Sequence, residues 1–216
     1  SLFNYMFNSS LIPYILPVFA MIGSVITTLL VFKISVIDNK TNIMMMLLSG
    51  IAVNALIGSI IGFLVFGSDD QQLRSFTFWT LGSLDRATWE VVGIVSIFVF
   101  LPMAFMYSMS TQLDVFMLGD SESSFLGLEV EVLKRKVILF SAIMVGVSVA
   151  FCGMIGFIGL VTPHIVRLFI GPGHKALLPA SSILGAIILL SSDFISRTIV
   201  APAQLPIGII TSSLGS

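Results

Sequence analysis

One stretch of this chain decides how it folds: GFIGLVTPHIVR, at residues 156–167. The stretch is apolar, but two glycines and Pro163 interrupt it, and it ends with His164 and Arg167. A proline inside a helix removes a backbone donor and favours a break, and glycines permit close helix approach. Because irregular backbone at membrane depth has to be shielded by protein, the stretch is typical of a transporter rather than of a simple membrane anchor.

The composition of the whole chain indicates a membrane protein. Its 216 residues are 56% hydrophobic and 10% charged, whereas about 25% of the residues in an ordinary soluble domain are charged. The formal net charge of -1, without a long basic tract, predicts no nucleic-acid partner. The one cysteine, Cys152, cannot form a disulfide within the chain, and we interpret it as a small buried hydrophobe.

Charge-free apolar runs of about 20 residues predict the membrane crossings. Such runs lie at 11–32, 43–66, 91–107 and 176–192, and a last span begins within 198–216. The run at 137–166 is too long for one crossing, so we divide it at the glycine-proline cluster into a full span and a short, tightly turned one. The sequence therefore predicts an all-α, polytopic membrane helix bundle with about six crossings and an unfinished seventh.

Two further features concern the ends of these spans and of the chain. Residues 73–89 form an amphipathic stretch, in which we interpret Trp79 and Trp89 as membrane-interface anchors rather than as a platform for a ligand. The chain begins with Ser1 and ends at Ser216 inside an apolar segment. We expect residues 1–216 to be a single transmembrane domain from a longer protein, without its first helices and the end of its last helix.

The loop charges predict which ends of the spans face the cytoplasm. If the loop between the first two spans is cytoplasmic, most basic residues fall inside, as the positive-inside rule requires. The predicted inner residues are Lys33, Lys40, Lys134, Arg135, Lys136, Arg167 and Lys175, and the outer ones are Arg74, Arg86 and Arg197. The inner loop at 108–136 also holds five acids, and this mixed charge favours docking of a protein over binding of anionic lipid.

Several motifs, taken in their order along the chain, carry a family resemblance. Residues 156–167 are followed by LLP at 177–179 and LPIG at 205–208, and preceded by FWTLGSL at 78–84 and LGD at 118–120. Together they resemble the permease of bacterial ABC importers for iron-siderophores, haem and cobalamin.

The resemblance implies a cobalamin-importer-like fold with ten helices per subunit, of which this chain would supply about the last two-thirds. It implies a homodimer or permease heterodimer in the bacterial cytoplasmic (inner) membrane. Two cytoplasmic ATPase subunits and an extracytoplasmic substrate-binding protein would be the partners. ATP hydrolysis would take place in the ATPase subunits, so the permease would have no catalytic residues and need no cofactor or metal. The cargo among siderophore, haem and cobalamin stays open.

The resemblance also assigns the inner loop at 118–127 to a coupling element, two short helices seated in a cleft of the ATPase. The residues concerned are Leu118, Gly119, Asp120, Ser121, Glu122, Phe125, Leu126 and Gly127. Both glycines suit tight turns, and the acids suit contact with basic ATPase residues or a helix N-terminus. A solvated loop of mixed charge is the alternative.

Other residues carry less specific assignments. Arg197 resembles an outer-face arginine that docks the binding protein, but Asp193 lies four residues earlier and could simply pair with it. Thr41 and Asn42 fall near the family's cytoplasmic gate, although the methionines at 44–46 depart from the family pattern there. Gln204 is another departure, because the family usually has a glutamate before Leu-Pro.

The motif residues around the interrupted stretch have a structural interpretation. They are Gly156, Gly159, Pro163, His164, Arg167, Pro206 and Gly208. We expect His164 and Arg167 to fix loop carbonyls near the ATPase interface, because no second histidine, cysteine or acid stands at helical spacing from His164 to complete a metal site. His174 is interpreted as a plain loop residue.

Two other classes of function compete with an importer permease. An ion-coupled secondary transporter needs ionisable groups within the membrane, and only Asp193 and His164 come close, both near span ends. An intramembrane protease needs a nucleophile with a base, or two aspartates at membrane depth, and the spans show neither pairing.

We also expect glycine-rich helix contacts that permit sliding, at Gly50, Gly58, Gly62, Gly146, Gly153, Gly156 and Gly159.

Overall fold

The computed structural model describes residues 12–37, 40–85, 87–199 and 205–215. The predictions for Leu11, Arg86, Gln204 and the chain ends at Ser1 and Ser216 therefore fall outside the described residues. The helices are α1 (Ile12–Ser35), α2 (Ile43–Phe66), α3 (Asp70–Thr80), α4 (Trp89–Ser108), α5 (Ser110–Phe116), α6 (Asp120–Phe125), α7 (Val130–Cys152), α8 (Ile158–Ile170), α9 (His174–Ile199) and α10 (Ile207–Gly215). Between α1 and α2, strand β1 (Val36–Ile37) pairs antiparallel with β2 (Lys40–Thr41).

Five of these helices, α1, α2, α4, α7 and α9, are long and apolar enough to cross a membrane. This confirms the all-α membrane bundle and its five full-length spans. The second span has the predicted bounds because Asn42 caps it: its side-chain oxygen accepts a hydrogen bond from the Met45 N–H.

The short span predicted within 137–166 and the last predicted span, within 198–216, differ from the structure. Helix α8 has 13 residues, which at 1.5 Å per residue measure about 20 Å and cannot cross a hydrocarbon core of about 30 Å. Thr198 and Ile199 belong to α9, because no proline or glycine interrupts that helix after Ser192. The last helix instead begins at Ile207, directly after Pro206.

The break between α7 and α8 lies at residues 153–157, so it begins before the predicted cluster and includes only the first two residues of that cluster. Gly153 has φ 74° and ψ -169°, a conformation open essentially only to glycine. Phe157 also has a positive φ, of 66°. Pro163 lies inside α8 and does not end it, because one missing backbone donor is tolerated in a membrane helix.

Helix α7 is central to the packing. It contacts α1 and α4, and α1 in turn contacts α2, while α9 packs against α8, α10 and α5. The prediction of glycine contacts is correct for Gly146, which lies against Ser24, and for Gly153, which lies against Trp79. For Gly50, Gly58, Gly62, Gly156 and Gly159, an added Cβ would meet no described atom within 4 Å, and contacts at these positions stay a prediction.

Candidate functional site

The end of the bundle that is predicted to face the cytoplasm, called the inner end below, holds the residues predicted to act as a coupling element. Two short helices are present, but only α6 lies within 118–127, and α5 precedes that stretch. Gly119 and Gly127 have φ of 105° and 84°, so each makes a turn that other residues rarely adopt. Both turns direct α6 back against α7, which begins at Val130.

A buried hydroxyl, that of Ser123, hydrogen-bonds α6 to α5. Ser123 is fully buried, and its Oγ donates a 2.8 Å hydrogen bond to the Val115 carbonyl of α5. The backbone N–H of Leu128 in turn donates to the Ser123 carbonyl at 3.0 Å. These bonds fix α6 to α5 and to the start of α7, so the segment is not a loose solvated loop.

Three apolar side chains of this fixed segment, called the apolar patch below, are exposed next to the exposed Asp120, Ser121, Glu122 and Ser124. The side chain of Phe125 is 90% exposed, and Leu126 and Leu118 are 65% and 60% exposed. Leu118 and Leu126 flank α6, and Phe125 is its last residue. An apolar patch at an aqueous end of a protein marks an interaction surface.

Lys134, predicted above only as one of the inner basic residues, contacts several elements of this region. Lys134 is 6% exposed, and its ammonium Nζ lies 2.6 Å from Asp120 Oδ2 and 3.4 Å from Glu131 Oε1. Nζ also donates to the Thr41 carbonyl at 3.1 Å and lies 5.8 Å from the centre of the Phe116 ring. One buried cation therefore joins β2, α5, α6 and α7.

Thr41, one of the two predicted gate residues, is bound to the same cluster. Its N–H and its Oγ1 both donate to Glu131 Oε2, at 2.9 and 2.6 Å. Thr41 is 4% exposed, so its hydroxyl is engaged with Glu131. The second gate residue, Asn42, caps α2.

A second pair at the inner end involves His174. Asp114 Oδ1 accepts a hydrogen bond from the His174 backbone N–H at 2.8 Å and lies 2.7 Å from Nδ1 of the ring. These hydrogen bonds, the backbone one first, lower the pKa of Asp114 below its ordinary 3.8. The interpretation of His174 as a plain loop residue is wrong, because it begins α9 and joins that helix to α5.

The predicted role of His164 and Arg167 is not seen within this chain. Both side chains are exposed, and neither hydrogen-bonds a carbonyl anywhere in the described ranges. Among the described residues, no group of three histidine, cysteine or acidic side chains is placed to hold a metal ion.

At the outer end, Arg197 is paired twice. The Arg197 Nη2 atom lies 2.8 Å from Asp85 Oδ1, and its Nε lies 2.9 Å from Asp193 Oδ2. The predicted pair with Asp193 is confirmed, and Asp85 is an additional partner that the sequence did not suggest. The Arg197 side chain is still 42% exposed.

The motifs at 78–84 and 205–208 meet the helix break at this same end. The Gly208 N–H donates to the Leu81 carbonyl at 2.8 Å, and the Ile207 N–H donates to the Gly82 carbonyl at 3.2 Å. The Ser83 N–H donates to the Cys152 carbonyl at 2.9 Å. A Cβ on Gly208 would collide with the Leu81 carbonyl, which explains why this approach needs glycine.

Comparison with family models shows a match over the entire chain. Residues 1–216 match the model of the FecCD transport family. This match spans both ends of the bundle described above.

Individual relatives are similar over most of this chain but are longer than it. The hemin transport system permease protein HmuU of Yersinia pestis is 43% identical over 91% of this chain and 58% of its own length. The cobalamin import system permease protein BtuC of Halobacterium salinarum is 32% identical over 91% of this chain and 53% of its own length. A solved structure described as an inward-facing conformation of a metal-chelate type ABC transporter has a TM-score of 0.79 and 30% identity, over 89% of this chain and 60% of its own. With five apolar helices of spanning length, the chain is a multi-pass membrane protein.

Proposed function

Because this chain belongs to the FecCD transport family, we propose that it forms the membrane permease of an ABC importer. The proposed cargo is an iron chelate such as a siderophore, haem or cobalamin, carried across the cytoplasmic membrane into the cell. The names of the relatives support this choice, since they mention hemin, cobalamin and a metal chelate.

The observation that carries this proposal is the exposed apolar patch on a fixed inner segment. A loop that met only water would gain nothing by exposing Phe125, Leu126 and Leu118 together. Burying apolar surface against a partner contributes about 25 cal/mol per Å² in favour of a complex, before the entropic and desolvation costs of association. The proposed partner is a cytoplasmic ATPase subunit, and α6 with its flanking turns is the proposed coupling element.

The length of the relatives and the family together suggest the other parts of the proposed assembly. The chain spans 53% to 60% of the compared proteins, so we propose that 1–216 is a large part of one transmembrane domain. Two permease copies, identical or different, would bind two ATPase subunits. ATP hydrolysis would take place in those subunits, and the permease would alternate between outward-open and inward-open states.

The outer and inner ends would have separate roles in the transport cycle. Arg197 would dock a carboxylate of the substrate-binding protein, since its side chain is 42% exposed although it pairs with Asp85 and Asp193. The turn that contains Thr41 and Asn42 would form part of the cytoplasmic gate, because it fixes the inner start of α2.

The test of the proposed function is co-purification of the full-length permease with its candidate ATPase. Phe125→Ser should weaken ATPase binding by about 2 kcal/mol, the scale for burying one large apolar side chain, or roughly thirtyfold in dissociation constant. The matched control is Phe66→Ser. Phe66 is the last residue of α2, at the end away from the turn that contains Thr41, and it is 91% exposed. This substitution should leave ATPase binding unchanged.

Two results would contradict the proposal. One is a full-length wild-type permease that binds no ATPase. The other is equal ATPase affinity for Phe125→Ser and Phe66→Ser, which would mean that the apolar patch on the inner face has no part in docking.

A further inference from the structure

The ammonium group of Lys134 has all of its hydrogen-bonding capacity in use. A lysine ammonium carries three N–H donors, and three acceptors surround this one: Asp120 Oδ2, Glu131 Oε1 and the Thr41 carbonyl, at 2.6, 3.4 and 3.1 Å. The three acceptors belong to α6, α7 and β2. A buried cation is costly unless it is paired in this way, so α6 and β2 cannot separate without exposing or stranding it.

Thr41 is directly connected to the end of α1 and to the start of α2. Thr41 pairs with Val36 across the hairpin, and the next residue, Asn42, donates its N–H to the Ser35 carbonyl at 3.0 Å and caps α2. Glu131 holds Thr41 at both its N–H and its hydroxyl. A displacement of Thr41 therefore displaces the end of α1 and the start of α2 together.

We propose that Lys134 is a positioning residue that links ATPase movement at α6 to movement of the α1–α2 turn. This inference rests on the proposed function, because it assumes that α6 receives the ATPase. In the linked state, Asp120 at the first position of α6 pulls on Lys134, and Lys134 and Glu131 carry Thr41 with them. Without the link, the ATPase would still dock at Phe125 and hydrolyse ATP, but α2 would not follow.

The perturbation is Lys134→Met, which keeps a stem of similar length in the buried space and removes the charge. Asp120 is 59% exposed and can be hydrated, and Glu131 keeps both bonds to Thr41, so neither acid is stranded. The matched control is Lys136→Met on the same helix. Lys136 is exposed and has no hydrogen bond or ion pair in the described ranges.

The assay uses the full-length permease in proteoliposomes with its ATPase and binding protein, and with haem as the cargo probe. Haem uptake and ATP hydrolysis are measured in the same sample, and their ratio is the readout. Lys134→Met should lower haem imported per ATP hydrolysed by about tenfold, within the usual range of coupling between two sites. Lys136→Met should keep the wild-type ratio, and Lys134→Arg should recover most of it because the charge and several donors return.

The outcomes separate this link from the proposed function itself. If the wild type neither hydrolyses ATP nor imports a chelate, the proposed function fails. If the wild type transports and Lys134→Met keeps the wild-type ratio, or loses uptake and hydrolysis in equal proportion, the link is overturned. If Lys134→Met does not assemble, Asp120→Ala decides. It removes the contact between α6 and Lys134 but leaves Lys134 with Glu131 and the Thr41 carbonyl, and a ratio equal to wild type refutes the proposal.

Discussion

Replacing Gly153 by alanine should be among the most damaging conservative changes in the chain. The backbone at this position has φ 74° and ψ -169°, which costs a residue with a Cβ about 1 to 3 kcal/mol. The added Cβ would also collide with the Trp79 carbonyl and lie 3.0 Å from the Cα of Gly82. Overpacking of this kind costs a further ~1 to 3 kcal/mol. Gly153→Ala should therefore lower the free energy of unfolding by about 2 to 6 kcal/mol.

The assay is equilibrium unfolding of the full-length permease in mixed micelles, followed by circular dichroism. Gly159→Ala is the matched control, because that residue lies within α8 and an added Cβ would meet nothing within 4 Å in the described chain. The control should be neutral or stabilise by up to ~1 kcal/mol, the difference in helix propensity. The reasoning is refuted if the two variants differ by less than about 0.5 kcal/mol, the usual scatter of harmless substitutions.

Three further predictions concern the two ends of the bundle. The hydrogen bonds from His174 lower the pKa of Asp114. Their stabilising effect is therefore complete above the ordinary pKa of 3.8 and is lost as the pH falls through the lowered pKa. In thermal unfolding, the stability advantage of wild type over Asp114→Asn should shrink below about pH 4. Arg197→Gln should weaken binding of the substrate-binding protein by up to about fivefold in titrations, since an exposed ion pair contributes at most ~1 kcal/mol, whereas Asp85→Asn should not weaken it, because it removes a competing carboxylate. Gly208→Ala should lower the free energy of unfolding by about 1 to 3 kcal/mol through overpacking, and a variant as stable as wild type in the same unfolding assay would contradict this.

The long spans could be predicted because their signal is local. Helix α2 has its predicted bounds, since an apolar run of sufficient length follows Asn42, a residue that caps helices well. The two short inner helices were predicted only through the family resemblance, and their position was shifted. Length alone also overstated α8, because a charge-free run does not show where its backbone turns.

The contacts that define the candidate sites could not be predicted in the same way. Lys134 and Thr41 are 93 residues apart in sequence, and nothing near Lys134 distinguishes it from the neighbouring Arg135 and Lys136. Gly153 likewise looks like Gly156 and Gly159 in sequence, but only Gly153 meets Trp79 in the fold. The i,i+4 pair of Arg197 with Asp193 was predicted because it lies within one helix, and the second partner, Asp85, was missed because it comes from a distant loop.

The most direct test of the central claim is cargo uptake by the full-length complex in proteoliposomes, with haem as the probe. ATP or ADP is enclosed at the ATPase side, in one set of samples without an ion gradient and in another with an imposed proton or sodium gradient. An importer permease predicts haem accumulation with ATP and none with ADP. Uptake that ignores ATP and instead requires a proton or sodium gradient would contradict the account and indicate an ion-coupled transporter.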